Sequence, residues 1–334
     1  MPQPRPVAAH LLSIDDLGPG AIDDVLDHAA DLKATWPSSP VDAPLAGRAV
    51  ALLFEKPSLR TRVSFEVGLA RLGATAITMT GADVGLGSRE PIADMARSLA
   101  RYVDAIVVRM LSHRGLEELA EAAAIPVVNA LTEREHPCQA LADLLTMREH
   151  LGSLPGRQLV FVGDGNNVCH SLLLGGAAAG VHVRVAAPRG YAPDPSVVDR
   201  AEAIGRDTGA RIELTDDPMR AVDGADAIYT DVWASMGSED QSEIRRWAFR
   251  PFRVDGALVA RAPHALVMHC LPAHRGEEID ADVLERPQSV AFDQAENRLY
   301  VQQAVLLRLL ARSGRMVDRR SVAPVRSRVA SATH

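Results

Sequence analysis

Apolar residues in this chain fall into short uninterrupted runs that alternate with stretches of helical period. The run from Ala49 to Phe54 reads as a buried strand, and after it Val63, Val67 and Ala70 recur about once per turn. The alternation continues: strands are predicted over 49–54, 74–79, 104–108 and 126–129, with helices over 63–72, 91–102 and 116–124 between them. An opening helix is expected over 21–36, where Ile22, Val25, Leu26, Ala29 and Leu32 form one stripe. Strands separated by helices of this length need crossover connections and therefore a parallel sheet.

A longer helix is predicted over 137–151, closed by Gly152-Ser153-Leu154-Pro155-Gly156, and the alternation then restarts. Strands are expected over 158–162, 181–186, 211–214, 226–230, 265–269 and 289–292, with helices over 167–179, 195–208 and 217–222. The fold class is α/β, with two doubly wound parallel-sheet domains joined by a hinge helix. Residues 1–150 form the first and 151–293 the second. An amphipathic helix over 294–313 is expected to pack back on the first domain, and the basic tail 314–334 to be disordered. The run 234–259 has few strand signals, and a loop of that length in a compact domain reads as a functional lid.

The junction after the first strand, Phe54-Glu55-Lys56-Pro57-Ser58-Leu59-Arg60-Thr61-Arg62, carries the strongest chemical signal. The first N–H groups of a helix have no intrahelical partner and face the positive end of the dipole, so they attract an anion. Ser58 and Thr61 add hydroxyls, and Arg60 and Arg62 add forks suited to phosphate oxygens.

Composition narrows what that anion can be. The 334 residues carry a net charge of −7, so no global field draws nucleic acid or an anionic membrane, and the anion site is local. Cys138, Cys169 and Cys270 are odd in number and far apart, which argues against a disulfide framework and for a reducing compartment. Met1 to His10 lacks a signal-peptide core, and no run approaches the roughly eighteen apolar residues of a membrane span. A soluble cytoplasmic protein is expected.

In open α/β sheets, ligands sit beyond the carboxyl ends of the strands. Arg109, then Asn129 with His136-Pro137-Cys138-Gln139, then Asp164-Gly165-Asn166-Asn167, Asp231 and His269-Cys270-Leu271-Pro272 all follow predicted strands. Capping or core packing explains each cluster alone, whereas their sharing one edge points to a site. A nicotinamide cofactor is not expected, because Val168 stands where the dinucleotide fingerprint needs its third glycine. His136/Cys138 and His269/Cys270 lack the usual ligand spacings, so no metal is expected either.

Together with Ser235-Met236-Gly237 and Glu296-Asn297-Arg298, these motifs resemble those of the ornithine carbamoyltransferases, from Leu11 to Ala311. The phosphate turn and the His-Pro-x-Gln element are shared with aspartate carbamoyltransferases, whereas Asp-x-x-x-Ser-Met-Gly and His-Cys-Leu-Pro point to ornithine. The resemblance implies carbamoyl phosphate on Ser58, Leu59, Arg60, Thr61 and Arg109, with its carbamoyl group near His136, Gln139, Cys270, Leu271 and Arg298. It implies L-ornithine on Asn167, Asp231, Ser235 and Met236, no cofactor, and a homotrimer serving arginine biosynthesis. Arg60, Arg109, His136 and Cys270 are the expected catalytic groups: the arginines for the leaving phosphate, His136 for the carbonyl oxygen, and Cys270 to accept an amine proton if cationic neighbours lower its thiol pKa. Two positions depart from the family pattern, which often has threonine at Leu59 and glutamine at Gly85. The alternatives are a carbamoyltransferase for another amine, such as putrescine or a modified ornithine, and a catalytically silent paralogue.

Overall fold

Two parallel sheets organise the chain, and the computed structural model describes residues 10–18, 20–35, 43–85, 89–233 and 242–313. Ser235, Met236 and the 314–334 tail lie outside the described residues. In the first half, α1 (Ala21–Thr35) precedes β1 (Ala49–Phe54), α2 (Leu59–Arg71), β2 (Thr75–Thr80), the single turn α3 (Gly81–Val84), α4 (Ile92–Tyr102), β3 (Ala105–Arg109), α5 (His113–Ala122) and β4 (Val127–Leu131). Helix α6 (Pro137–Leu151) leads into β5 (Gln158–Val162), α7 (Asn167–Ala178), β6 (His182–Ala186), α8 (Pro195–Thr208), β7 (Ile212–Thr215) and α9 (Pro218–Ala221). The chain ends with β8 (Ala227–Thr230), α10 (Ser242–Phe249), α11 (Gly256–Val259), β9 (Leu266–His269), α12 (Ala281–Leu284) and α13 (Ala291–Arg312).

The sheet orders are β2-β1-β3-β4 and β7-β6-β5-β8-β9, and every pairing between these strands is parallel. Strand order reverses between β1 and β3 in one sheet and between β5 and β8 in the other. Connections leave in opposite directions at such points and open a crevice beyond the strand ends. The phosphate turn and Arg109 flank the first crevice, and Asn166-Asn167 and Asp231 flank the second.

The inner strands are covered on both faces, which is why they read as unbroken apolar runs, whereas the edge strands β2 and β7 stay partly exposed. Val50 and Leu52 face the main core with Phe65 and Leu141, whereas Ala51 and Leu53 face a separate cluster with Met95, Leu116 and Leu119. The main core is continuous across both halves, because α6, α7 and α13 contribute to it together with β1 and β5. Residues 137–147 of α6 are buried all round. Its polar members are paired internally: Asn297 donates to Thr146, and Gln139 to Asp143. Helix α13 packs on α1, α2 and α6 of the first half and also touches β9.

Three expectations are revised. No strand forms over 289–292: Ser289 makes an isolated bridge with Val267, and α13 begins at Ala291. A four-residue apolar run fits a buried helix start as well as a strand, and periodicity cannot separate them. Residues 242–259 are not a structureless loop, because they contain α10, a 3-10 turn (Arg250–Phe252) and α11. The once-per-turn residues Val63, Val67 and Ala70 do not face the core; they point outward with Leu59, which is 74% exposed, while Thr61, Phe65 and Leu69 are buried.

Candidate active site

Helix α2 starts at Leu59, so Arg60 and Thr61 belong to its first turn. Ser58 occupies the N-cap position with extended backbone, but its side chain makes no cap bond. Thr61 is fully buried and accepts a hydrogen bond from Arg298 Nη2 at 2.6 Å, which ties α13 to the phosphate turn. Arg109 ends β3, where the pairing register with β4 shifts.

From the second half, Asn166 caps α7, its Oδ1 accepting from the backbone N–H of Val168 and Cys169. Its Nδ2 donates to Asp231 Oδ2 at 2.8 Å. Asp231 Oδ1 accepts from its neighbour Val232 N at 2.8 Å and from Cys270 Sγ at 2.9 Å. Asn167 donates to the carbonyl of Thr132 at 2.5 Å, linking α7 to the segment after β4.

These elements enclose a cavity of about 260 Å³. Ser58, Arg60, Arg109, His136, Gln139, Asn167, Asp231, Cys270, Leu271 and Arg298 all line it. Thr61 stands behind Arg298 and Leu59 points to the outside, so neither side chain reaches the lining. Pro272 of the His-Cys-Leu-Pro motif lines it as well, as do Leu131, Val168, Val232 and His274, which the sequence did not place in the site. Val168 and Val232 directly follow Asn167 and Asp231, and that adjacency was the signal available for them.

The cavity has two electrostatic sides. Burial and the neighbouring charge of Arg298 pull the Arg109 guanidinium down to about 10, with Arg60 adding to the repulsion. Arg298 and Arg60 are also lowered, chiefly by burial. Three guanidiniums held close in a partly dry site demand an anion between them. His136 is lowered well below the usual imidazole range by burial, Arg298 and Arg109, so it is neutral at pH 7 and has one ring N–H to donate. Its Nδ1 has no partner among the described residues.

The opposite side is acidic, and it reverses the condition set for Cys270. Burial, then the charge of Asp231 and the hydrogen bond to it, push its thiol well above the ordinary value. Cys270 therefore stands as a protonated donor to Asp231. Burial likewise raises Cys138, to about 12, and Cys169. At pH 7 all three thiols of the folded protein are expected to resist iodoacetamide and to react only after denaturation. Rapid alkylation of native Cys270, found by mass spectrometry, would contradict this assignment.

Among the described residues, two groups bring metal-ligating atoms within 4.8 Å of one another: Asp231 with His269 and Cys270, and His274 with Glu277 and Glu278. Spacing in the sequence did not foresee the first. Both ring nitrogens of His269 are already engaged, Nδ1 accepting from Leu271 N at 2.9 Å and Nε2 lying 3.0 Å from Glu278. Glu278 Oε1 also accepts from His274 N at 2.6 Å, whereas its buried Oε2 has no partner among the described residues.

Comparison with known proteins follows the same division of the chain. A family model described as the carbamoyl-P binding domain of aspartate/ornithine carbamoyltransferase matches residues 9–149, and its Asp/Orn binding domain counterpart matches residues 155–309. An ornithine carbamoyltransferase of Acidothermus cellulolyticus is 54% identical over 307 residues, covering 91% of this chain and 97% of that protein. The solved ornithine carbamoyltransferase of Pyrococcus furiosus superposes with a TM-score of 0.87 at 48% identity, over 90% of this chain and 96% of that one. The Thermus thermophilus structure of the same name gives a TM-score of 0.81 at 45% identity, over 90% and 99%. With two parallel-sheet halves, a cavity between their strand ends and matches along nearly its whole length, the chain belongs to the aspartate/ornithine carbamoyltransferase family.

Proposed function

We propose that this protein is an ornithine carbamoyltransferase, which moves the carbamoyl group of carbamoyl phosphate to the δ-amine of L-ornithine and yields L-citrulline and phosphate. One observation carries the reading: Arg60, Arg109 and Arg298, from three elements, line one cavity with Asp231, and Arg109 lies within electrostatic reach of the other three. A dianionic donor and a cationic amino acid fit that pairing of positive and negative groups. Residues 1–150 act as the carbamoyl-phosphate domain and 151–293 as the ornithine domain, hinged at α6.

The phosphate sits on the side chains of Ser58, Arg60 and Arg109 and on the backbone N–H groups of Leu59 and Thr61, the first taking the place of a missing hydroxyl and the second because the Thr61 hydroxyl is buried against Arg298. The uncapped hydroxyl of Ser58 supports this placement. Neutral His136 donates to the carbamoyl oxygen as charge builds there, and Arg298 stabilises the same oxygen and the departing phosphate. Asp231 pairs with the substrate ammonium. Asn167, with Nδ2 directed to Thr132, offers Oδ1 to the same group. Ser235 and Met236, which lie outside the described residues, are assigned to binding ornithine.

The δ-ammonium of ornithine, with an ordinary pKa of about 10, first loses a proton to water. Its lone pair then attacks the carbamoyl carbon, the bond from that carbon to the phosphate oxygen breaks, and the second amine proton passes to the departing phosphate as citrulline forms. Holding both reactants at adjacent strand ends supplies the alignment. Cys270 faces the amine as the hydrogen-bond donor that keeps Asp231 in place.

The protein acts as a homotrimer in the cytoplasm and serves arginine biosynthesis. The outward stripe of Leu59, Val63 and Val67 beside Ile77 supports self-association next to the phosphate turn. No helix among the described residues is long and apolar enough to cross a membrane.

A colorimetric citrulline assay with carbamoyl phosphate and a panel of amines tests the reading. Citrulline and phosphate are expected in equal amounts with ornithine, and negligible turnover with putrescine. Faster carbamoylation of putrescine or of a modified ornithine would replace the substrate assignment, and no turnover with any amine would favour a silent paralogue.

A further inference from the structure

Asp143 lies on α6 one turn after Gln139 and has no exposure to solvent. Its Oδ1 accepts from Gln139 Nε2 at 2.8 Å and from Gln294 Nε2 at 2.8 Å, and its Oδ2 accepts from the Tyr229 hydroxyl at 3.0 Å. An ionised carboxylate only accepts, so both glutamines must turn their NH₂ groups towards it. In Gln294 this leaves Oε1 to accept the backbone N–H of His269 at 2.9 Å, directly before Cys270. In Gln139, which lines the cavity, it leaves Oε1, a buried acceptor with no partner among the described residues. One carboxylate thus orders two amides and joins α6, β8 and α13 behind the site.

We infer that Asp143 is a positioning residue that locks the Gln139 amide with its carbonyl oxygen reserved for substrate, so that the site selects an NH₂ group over an isosteric methyl at the carbamoyl carbon. This rests on the carbamoyl-phosphate reading and adds to it the origin of selectivity for the carbamoyl nitrogen. Without a fixed acceptor behind it, an amide of nearly symmetric shape presents either end.

The lock depends on the charge of Asp143. Burial pushes its carboxyl up to about 6, opposed by the hydrogen bonds from Gln294, Gln139 and Tyr229 and by the charge of Arg298. The titratable and charged groups facing this cluster are Arg298 on α13, Tyr229 and Asp231 on β8 and just after it, and Cys270 after β9. Tyr229 and Cys270 are pushed well above their ordinary values and stay neutral near pH 7. Protonated Asp143 becomes a donor as well as an acceptor, and Gln139 is then free to turn.

Calorimetric titration of the full chain with two phosphonates tests the proposal. Phosphonoacetamide carries the carbamoyl-like NH₂, and acetonylphosphonate replaces it with a methyl. At pH 7.5 the unaltered protein is expected to prefer the amide about tenfold or more, the penalty for leaving one buried acceptor unpaired. Asp143→Asn can donate as well as accept, so the preference should fall below about threefold while both ligands still bind. A purely structural role weakens both ligands alike and keeps the ratio, which overturns the proposal.

A second arm needs no variant and decides the matter if Asp143→Asn does not fold. Between pH 7.5 and 5.0 the preference of the unaltered protein should shrink as Asp143 gains its proton, and the phosphonate titration common to both ligands cancels in the ratio. A flat ratio overturns the proposal. Equal binding of both ligands at pH 7.5 also defeats it while leaving the carbamoyl-phosphate reading intact. If neither phosphonate binds, that reading itself fails and this proposal falls with it.

Discussion

Replacing Arg60 with alanine is expected to lower kcat about 10²–10³-fold, the loss associated with one preorganised donor to transition-state charge. Arg60 sits in the first turn of α2, lines the cavity and has no hydrogen-bond or ion-pair partner among the described residues. Its removal therefore leaves no buried group stranded, and the fold should survive. Arg109 and Arg298 are less clean targets, because Arg109 is half-buried, and Arg298 is buried and also holds Thr61. A guanidinium that stabilises the departing phosphate matters most when that phosphate carries its full charge, so the loss should fall mainly on kcat. Arg60→Lys keeps the charge but loses the planar fork, and only part of the rate should return. Steady-state kinetics with both substrates varied, plus circular dichroism of each variant, decides the matter. Wild-type kcat in a folded Arg60→Ala protein would remove the phosphate turn from the mechanism.

The second large effect is expected at Asp231. Changing it to alanine should raise KM for ornithine by about two to three orders of magnitude, in line with the ~3–5 kcal/mol lost when one member of a buried ion pair is removed. The carboxylate is nearly buried and accepts from Asn166, Val232 and Cys270, so it is held in place before any ammonium arrives. Removing it also leaves the Asn166 Nδ2 donor without its acceptor, which adds a desolvation penalty. Asp231→Asn refills the space and separates the two contributions: KM for ornithine should stay high because the charge is gone, while thermal stability recovers. Binding of carbamoyl phosphate, on the other side of the cavity, should change little in either variant. An unchanged KM for ornithine would place the amino acid elsewhere.

Two residues show how far the chain could be read without its structure. Arg60 was legible because a buried strand, a turn with hydroxyls and a helix start lie within a dozen residues, and each of those signals is local. Asp143 was not singled out, although a lone acidic residue in the apolar stretch Leu141-Ala142-Asp143-Leu144-Leu145 was visible. Its partners Tyr229 and Gln294 lie 86 and 151 residues away, and no periodicity links them. Cys270 is an intermediate case: its place at a strand end was readable, but the direction of its thiol shift depended on burial and on Asp231 lying 2.9 Å from its sulfur.

By itself, the sequence determined the alternation of strands and helices, the parallel sheets that such alternation requires, and the edge on which the polar clusters gather. Those features follow from hydrophobic period and from the handedness of crossovers, which act over one element or its nearest neighbour. Only the tertiary structure decided which face of α2 is buried, that Ala291 opens a helix, that three arginines share one cavity and that Cys270 stays protonated. Burial and charge environment are set by elements that meet from distant parts of the chain, and packing of α13 across α1, α2 and α6 brings Arg298 to a turn 237 residues earlier.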